Sequence, residues 1–354
     1  MMASLMRLAE TRAGKIILFM LLLTAPLWVG ATLGPYWVRI LDFCLLYAVL
    51  ALGLNIVVGY AGLLDLGYIA FYAVGAYLFA LLASPHFDLH WSPWLILPLG
   101  AMAAGLAGAL LGAPTLRLRG DYLAIVTLGF GEIVRLFMNN LDRPINITNG
   151  PQGISGIDPM AIGGFSLGGS LQLGTLSLGS AQLYFYLLLA LVFVVVVICR
   201  RLENSRIGRA WVAIREDEIA ASAMGINTRN MKLLAFAMGA SFGGIGGGLF
   251  ASFQGFVSPE SFTLMESVMI LCMVVLGGMG NIAGVILGAV LLTLTPELLR
   301  AVINPLQREL FGRMVVDPEN LRMLLFGLAM ILIMLFRPAG LWPSRRRAQE
   351  LHHD

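Results

Sequence analysis

The feature that most constrains this chain is the recurrence, from one end to the other, of apolar runs of about 18 residues or more. In hydrocarbon every backbone N–H and C=O must find a partner inside the protein, so runs of this length fold as membrane-spanning helices. Only 12% of the 354 residues are charged, while 58% are hydrophobic. A soluble domain is about a quarter charged, which excludes a soluble enzyme. The expected fold class is an all-α polytopic transmembrane bundle, a single domain over residues 1–354 with the lipid bilayer as its solvent. The net charge of +3 is explained by membrane topology, so no nucleic-acid partner is expected.

Positive residues set the orientation, because cytoplasmic loops carry the excess of Lys and Arg. Arg7, Arg12 and Lys15 precede a first span at 16–34, which places the N-terminus in the cytoplasm. The run is longer than a signal peptide requires, and a retained first helix is expected. Further spans are expected at 38–58, 66–83, 94–113, 121–140, 183–199 and 233–253. The apolar stretch 262–299 is too long for one helix and divides at GGMGN, 277–281. A last span at 321–336 leads to Arg345, Arg346 and Arg347, which belong inside. The expected count is ten spans with both termini cytoplasmic, or eight to nine if the glycine-rich interruptions are re-entrant. The Gly- and Ser-rich connection 141–182 has little positive charge and is expected on the periplasmic side; 300–320 is expected as an outside loop.

One polar island stands out in this apolar chain, 200–232, expected as a cytoplasmic loop. It gathers Arg200, Arg201, Arg206, Arg209, Arg215, Arg229 and Lys232 against Glu203, Glu216, Asp217 and Glu218. Its middle, 211–225, has the pattern of one amphipathic helix. At about 100° per residue, Trp211, Ile214, Glu218, Ala221 and Gly225 share a face. Gly225 can take the left-handed conformation that ends a helix, and Asn227 or Thr228 can cap the next. A short rigid helix joined to a span transmits force; the plain alternative is a solvated basic loop.

Small residues recur at helical spacing in Ala104, Gly108 and Gly112, in Gly239 and Gly243, and in Gly280, Gly284 and Gly288, a pattern that lets helices cross closely. Cys44, Cys199 and Cys272 lie in or at the edge of apolar segments without metal-ligand spacing and read as core residues. His86 and His90 read as ordinary loop residues, and no metal site is expected. No Ser/His or Cys/His constellation supports a membrane enzyme.

Particular strings carry a resemblance. GLNIVVGYAGLLDLGYIAFYAVGAYLFALL (53–82), LRLRGDYLAIVTLGFGEIVRL (116–136), NITNGPQGISGI (146–157), GRAWVAIREDEIAASAMGIN (208–227), VVLGGMGNIAGVILGA (274–289) and FRPAGLWP (336–343) together resemble the LivM family, in the family's order. These are permease subunits of high-affinity ABC importers for the branched-chain amino acids Leu, Ile and Val. The resemblance implies a bacterial inner-membrane subunit paired with a second, homologous permease. It also implies two cytoplasmic ATPases and a periplasmic amino-acid-binding protein as partners. The chain has no phosphate-binding loop of its own, so ATP is expected to be used by the partners, with no cofactor bound here.

The resemblance also gives the island a role. Permeases of this kind dock on their ATPases through a motif of Glu, two Ala and a downstream Gly. Glu218, Ala220, Ala221 and Gly225 match those types, with Ile219 intervening; Trp211 and Ile214 complete the expected coupling face. For the translocation path the candidates are Asn55, Asp65, Glu132 and Arg135. Glu132 and Arg135, three residues apart in a span, share a helix face. They suit either the charged ends of a zwitterionic substrate or a structural ion pair. Asn55, Asp65 and the interruption 59–67 resemble broken helices that line midplane sites, with 277–281 as a counterpart; surface turns are the other reading. Related permeases carry urea or short amides, and an ion-coupled carrier remains the alternative of a different class.

Overall fold

The computed structural model describes residues 12–115, 121–173, 176–311, 327–328, 331, 335–336 and 340–342. Eleven helices run through the main stretches: α1 (Arg12–Thr32), α2 (Pro35–Asn55), α3 (Ile69–Leu82), α4 (Pro93–Thr115), α5 (Asp121–Asn140), α6 (Ser180–Glu203), α7 (Arg206–Glu216), α8 (Glu218–Ala223), α9 (Thr228–Gln254), α10 (Leu264–Gly277) and α11 (Ile282–Phe311). Seven helical segments among the described residues are long and apolar enough to cross a membrane, and Met20–Thr32 and Ile69–Leu82 are shorter apolar helices. The protein is a polytopic helical membrane protein. The expected last span, 321–336, lies almost wholly outside the described residues.

Burial sorts the helices into a centre and a periphery. From Phe43 to Leu54 α2 carries no charged residue on any side, as a helix enclosed by others must, and Ala48 through Asn55 are buried without a break. α9 packs mainly on α4, α3 and α2, and α2 also packs on α11 and α6. α5 and α6 lie outside and expose large apolar side chains such as Tyr122, Ile125, Phe137 and Phe193. Such faces suit lipid or another subunit.

The small-residue stripes lie at the crossings. A Cβ on Gly108 would come 2.6 Å from Ala240 Cβ, and one on Gly239 would come 3.0 Å from the Gly53 carbonyl. Gly280 departs from expectation: it precedes α11, with φ +82°, and belongs to the break before that helix.

Three expectations about the elements need correction. First, 300–320 is not a loop throughout, because α11 continues to Phe311. Hydropathy marks where the apolar stretch ends, whereas helical hydrogen bonding continues into polar sequence. Here Arg300 pairs with Glu297 one turn back at 3.3 Å, and Tyr36 donates to Glu297 at 2.6 Å. Second, the bundle is not purely α. The connection after α5 holds short strands β1 (Ile154–Ser155), β2 (Ala161–Ile162), β3 (Phe165–Ser166), β4 (Leu171–Leu173) and β5 (Leu176–Leu178), and β6 (Phe256–Val257) follows α9. The pairs β2–β3, β4–β5 and β1–β6 are antiparallel, the last with Ile154 opposite Val257. In β2–β3 the two-residue turn is Gly163-Gly164, both with positive φ, the backbone that tight hairpins require.

Third, the expected span 66–83 is a 14-residue helix, α3, which at 1.5 Å per residue covers about 21 Å of a ~30 Å hydrocarbon core. Between α2 and α3 the chain makes a π-turn at Ile56–Tyr60 and then an irregular stretch, 61–68. α10 is equally short. The beginnings of α3 and α10 touch, where Ser267 Oγ donates to the Leu66 carbonyl at 2.7 Å.

His90 is more than an ordinary loop residue. It hydrogen-bonds Asp158 and pairs with Asp88, tying 83–92 to the connection after α5. The bond to Asp158 raises its pKa, with the Asp158 and Asp88 charges adding to the rise. A raised folded value means the tether helps stability below the unfolded value of about 6.5 and is lost as pH rises through the folded one. In an NMR titration His90 is expected to titrate above an unperturbed imidazole, and Asp158→Asn to bring it down. No change in Asp158→Asn would disprove the tether.

Candidate functional site

The 200–232 island folds as two helices, where one was expected over 211–225. Ser205 caps α7 by accepting from the Gly208 N–H at 3.1 Å. α7 ends at Asp217, whose backbone is extended (φ −152°, ψ 109°) and whose Oδ1 accepts from Ile219 N at 2.8 Å and Ala220 N at 3.0 Å. An Asp side chain competes with the helix for backbone donors and is favoured at an N-cap, so Asp217 ends one helix and starts the next. Gly225, with φ +85°, closes α8 as expected. Asn227 caps α9 through the Asn230 N–H at 3.1 Å.

The split redistributes the expected coupling face. Trp211, Ile214 and Ala221 are buried against the chain itself, and Trp211 Nε1 donates to the Met231 carbonyl at 2.7 Å. Glu218 is half-buried and accepts from Lys232 Nζ at 2.6 Å. That bond clamps α8 to the first turns of α9. What remains outward is Ala220, Gly225 and two large apolar side chains, Ile219 (71% exposed) and Met224 (84% exposed). The sequence reading passed over both, although an apolar pair in a polar loop is the signal that marks them.

α7 also reaches the bundle. Arg215, in its last turn, donates from its guanidinium to the Gly59 carbonyl at 2.7 Å. Gly59 lies in the π-turn, and beside it Asn55 Oδ1 accepts from the Gly280 N–H at 2.8 Å. The break after α2 and the break before α11 are thus one junction. Asn281 Nδ2 extends it by donating to the Trp342 carbonyl at 2.9 Å. Glycine is required here for space: a Cβ on Gly59 would overlap Asn55 Oδ1 and lie 2.7 Å from Gly280 N.

Of the four path candidates, Asn55 therefore sits in the junction. Asp65 is buried, with Oδ1 accepting from Gly67 N at 2.9 Å and Oδ2 without a hydrogen-bond partner among the described residues. Its stretch, 61–68, is buried within the protein apart from Gly62, Leu64 and Leu66. Thr127 of α5 supports it by accepting from Leu66 N at 3.0 Å. Glu132 and Arg135 pair with each other at 3.0 Å, farther along α5, and Arg135 reaches Glu260 at 3.5 Å. The structure joins this pair to the segment after α9 and not to Asn55. Among the described residues no group of three or more His, Cys, Asp or Glu side chains is placed to hold a metal ion.

Residues 36–334 match the family described as branched-chain amino acid transport system / permease component. The chain is 45% identical over 345 residues to the high-affinity branched-chain amino acid transport system permease protein LivM of Escherichia coli (strain K12), covering 94% of this chain and 76% of that protein. It is 29% identical over 255 residues to the probable branched-chain amino acid transport permease protein LivM of Methanocaldococcus jannaschii, covering 71% of this chain and 69% of that one. A permease of the other type, LivH of Escherichia coli (strain K12), is 25% identical over 305 residues, covering 83% of this chain and 90% of LivH. No solved structure matches. A family match over most of the chain and 45% identity to a LivM permease lead to one conclusion: the chain belongs to the family of branched-chain amino acid transport permeases.

Proposed function

We propose that the chain is one of two homologous permease subunits of an ATP-driven importer that moves leucine, isoleucine and valine across the bacterial inner membrane. Both termini and the 200–232 segment lie in the cytoplasm, and 141–182 faces the periplasm, where a binding protein delivers substrate. The similarity to both LivM and LivH supports pairing with a related permease. ATP is bound and hydrolysed by two partner ATPases that dock on the α7–α8 pair.

The observation that carries the docking reading is the outward apolar surface of α8. Trp211, Ile214 and Ala221 anchor the pair from beneath, the Glu218–Lys232 bond holds its angle, and Ala220 and Gly225 leave room for close approach. Ile219 and Met224 then supply the buried contact, worth about 2 kcal/mol each when removed from water. Asn55 and Asp65 belong to the moving broken helices of the path. Glu132 and Arg135 meet substrate only when their mutual bond opens.

The test is co-purification and uptake. Replacing Ile219 and Met224 together by Glu is expected to strip the ATPases from the complex and lower leucine uptake more than tenfold, while the permease still inserts in the membrane. Retention of the ATPases at wild-type yield would disprove docking on α8. In vesicles supplied with ATP, uptake abolished by an uncoupler but not by vanadate would instead establish an ion-coupled carrier.

A further inference from the structure

We infer that Arg215 is the positioning residue through which the cytoplasmic helix pair controls the two glycine breaks of the bundle. The inference rests on the docking reading above and adds the route by which movement at α8 reaches the spans.

The route is short and specific. In a regular helix each carbonyl accepts from an N–H four residues on, but the chain after α2 leaves that pattern. Ala61 N bonds to the Ile56 carbonyl, five residues back, and Leu63 N to the Val57 carbonyl, six back. Such a π-turn inside a span is a place where helices bend. The Gly59 carbonyl takes its bond from Arg215 Nη1. Across the junction the Gly280 N–H, freed where α10 gives way to α11, donates to Asn55 Oδ1. Each break is therefore completed by a side chain from another element.

Arg215 also fills space that only glycine leaves open. A Cβ on Gly62 would overlap Arg215 Cγ and lie 3.1 Å from its Cβ, and one on Gly280 would lie 3.6 Å from Nη1. The arginine stem thus lies along the first break and its head reaches toward the second. α7 is fixed at its other end by Ser205 and in its middle by Trp211, so a shift of the docked pair moves the Arg215 end as a lever. Movement of Gly59 in turn pulls on Asn55 and on its bond to Gly280. The junction lies where α2 ends in the π-turn that leads to 61–68, and just before α11 begins. Opening it frees both short helices, α3 and α10, which are joined where Ser267 of α10 donates to the Leu66 carbonyl just before α3.

Two substitutions separate the hydrogen bond from the packing. Arg215→Met keeps an aliphatic stem against Gly62 and removes the donor; Arg215→Lys keeps both a stem and a donor. The measurement is leucine transported per ATP hydrolysed, by the whole transporter in proteoliposomes, counted only in complexes that retain their ATPases. Arg215→Met is expected to lower that ratio about 5- to 150-fold, the usual range for coupling between sites, and Arg215→Lys to restore most of it. Asn55→Leu, on the other side of the junction, is expected to lower the ratio in the same way. A wild-type ratio in Arg215→Met, or equal loss in the Met and Lys variants, would overturn the inference. Loss of the ATPases from Arg215→Met would also overturn it, making Arg215 a docking residue. The docking reading itself stands or falls on the Ile219 and Met224 variants, whose readout is subunit retention, so the two failures are distinguishable.

Discussion

Gly244→Ala is expected to destabilise the folded permease by about 3 kcal/mol, read as a lower melting temperature in detergent and a smaller monodisperse fraction. α9 crosses α3 and α4 at this residue with backbones in contact. A Cβ on Gly244 would sit 2.5 Å from the Gly100 carbonyl and 2.7 Å from Ala104 Cβ, while one on Gly75 would overlap the backbone of Gly244. Alanine gains roughly 1 kcal/mol over glycine in helix propensity. That gain does not offset a clash with backbone, because no side chain can swing away and the helices must move apart. Separation then removes the close contacts that hold helices together in lipid, where the hydrophobic effect between them is absent. Gly129→Ala is the control: on α5, nothing lies within 4 Å of the added methyl, and the change is expected to be neutral or to stabilise by up to about 1 kcal/mol through helix propensity. Equal stability of the two variants would show that α9 does not cross its neighbours as described.

Trp211→Ala is expected to cost the α7–α8 helix pair about 3–5 kcal/mol of local stability. The indole is fully buried and is the largest side chain holding α7 to α9, so its loss leaves a cavity and removes the bond to the Met231 carbonyl. Hydrogen exchange over 206–227 is expected to rise sharply and leucine uptake to fall at least tenfold, with the spans still inserted. Trp211→Phe keeps most of the packing and loses only the N–H donor, a loss worth about 1 kcal/mol, so it is expected to retain most uptake. Unchanged exchange in Trp211→Ala would mean that the pair is held by the Glu218–Lys232 bond and the caps alone.

Much of the bundle was legible in the sequence because hydropathy is a local property that repeats along the chain. The helices α2, α4, α5, α6 and α9 fall where the apolar runs lie, with the structure extending most of them by a few polar residues at their ends. The Gly225 and Asn227 caps were equally readable, since a cap depends on a residue and its near neighbours. Asp217 carried the same kind of signal, but the apolar period running through 211–225 hid it. That period also misled in another way. It groups Trp211, Ile214 and Ala221 on one apolar face without saying which body covers it, and here the chain's own spans cover it. The Gly163-Gly164 hairpin was masked by a connection that reads as featureless Gly and Ser.

By itself the sequence determined that the protein lives in a membrane, where most of its spans lie, and which transport family it resembles. Each of those follows from composition, period or motif within a few dozen residues. Only the tertiary structure decided that Asn55 and Gly280 form one junction with Arg215 across it, and that Ile219 and Met224 are the side chains left facing out. The physical reason is that these facts depend on pairing orphaned backbone groups across breaks far apart in the chain. Any buried N–H or C=O must be satisfied, but no local pattern says by whom; that is settled only when the helices pack.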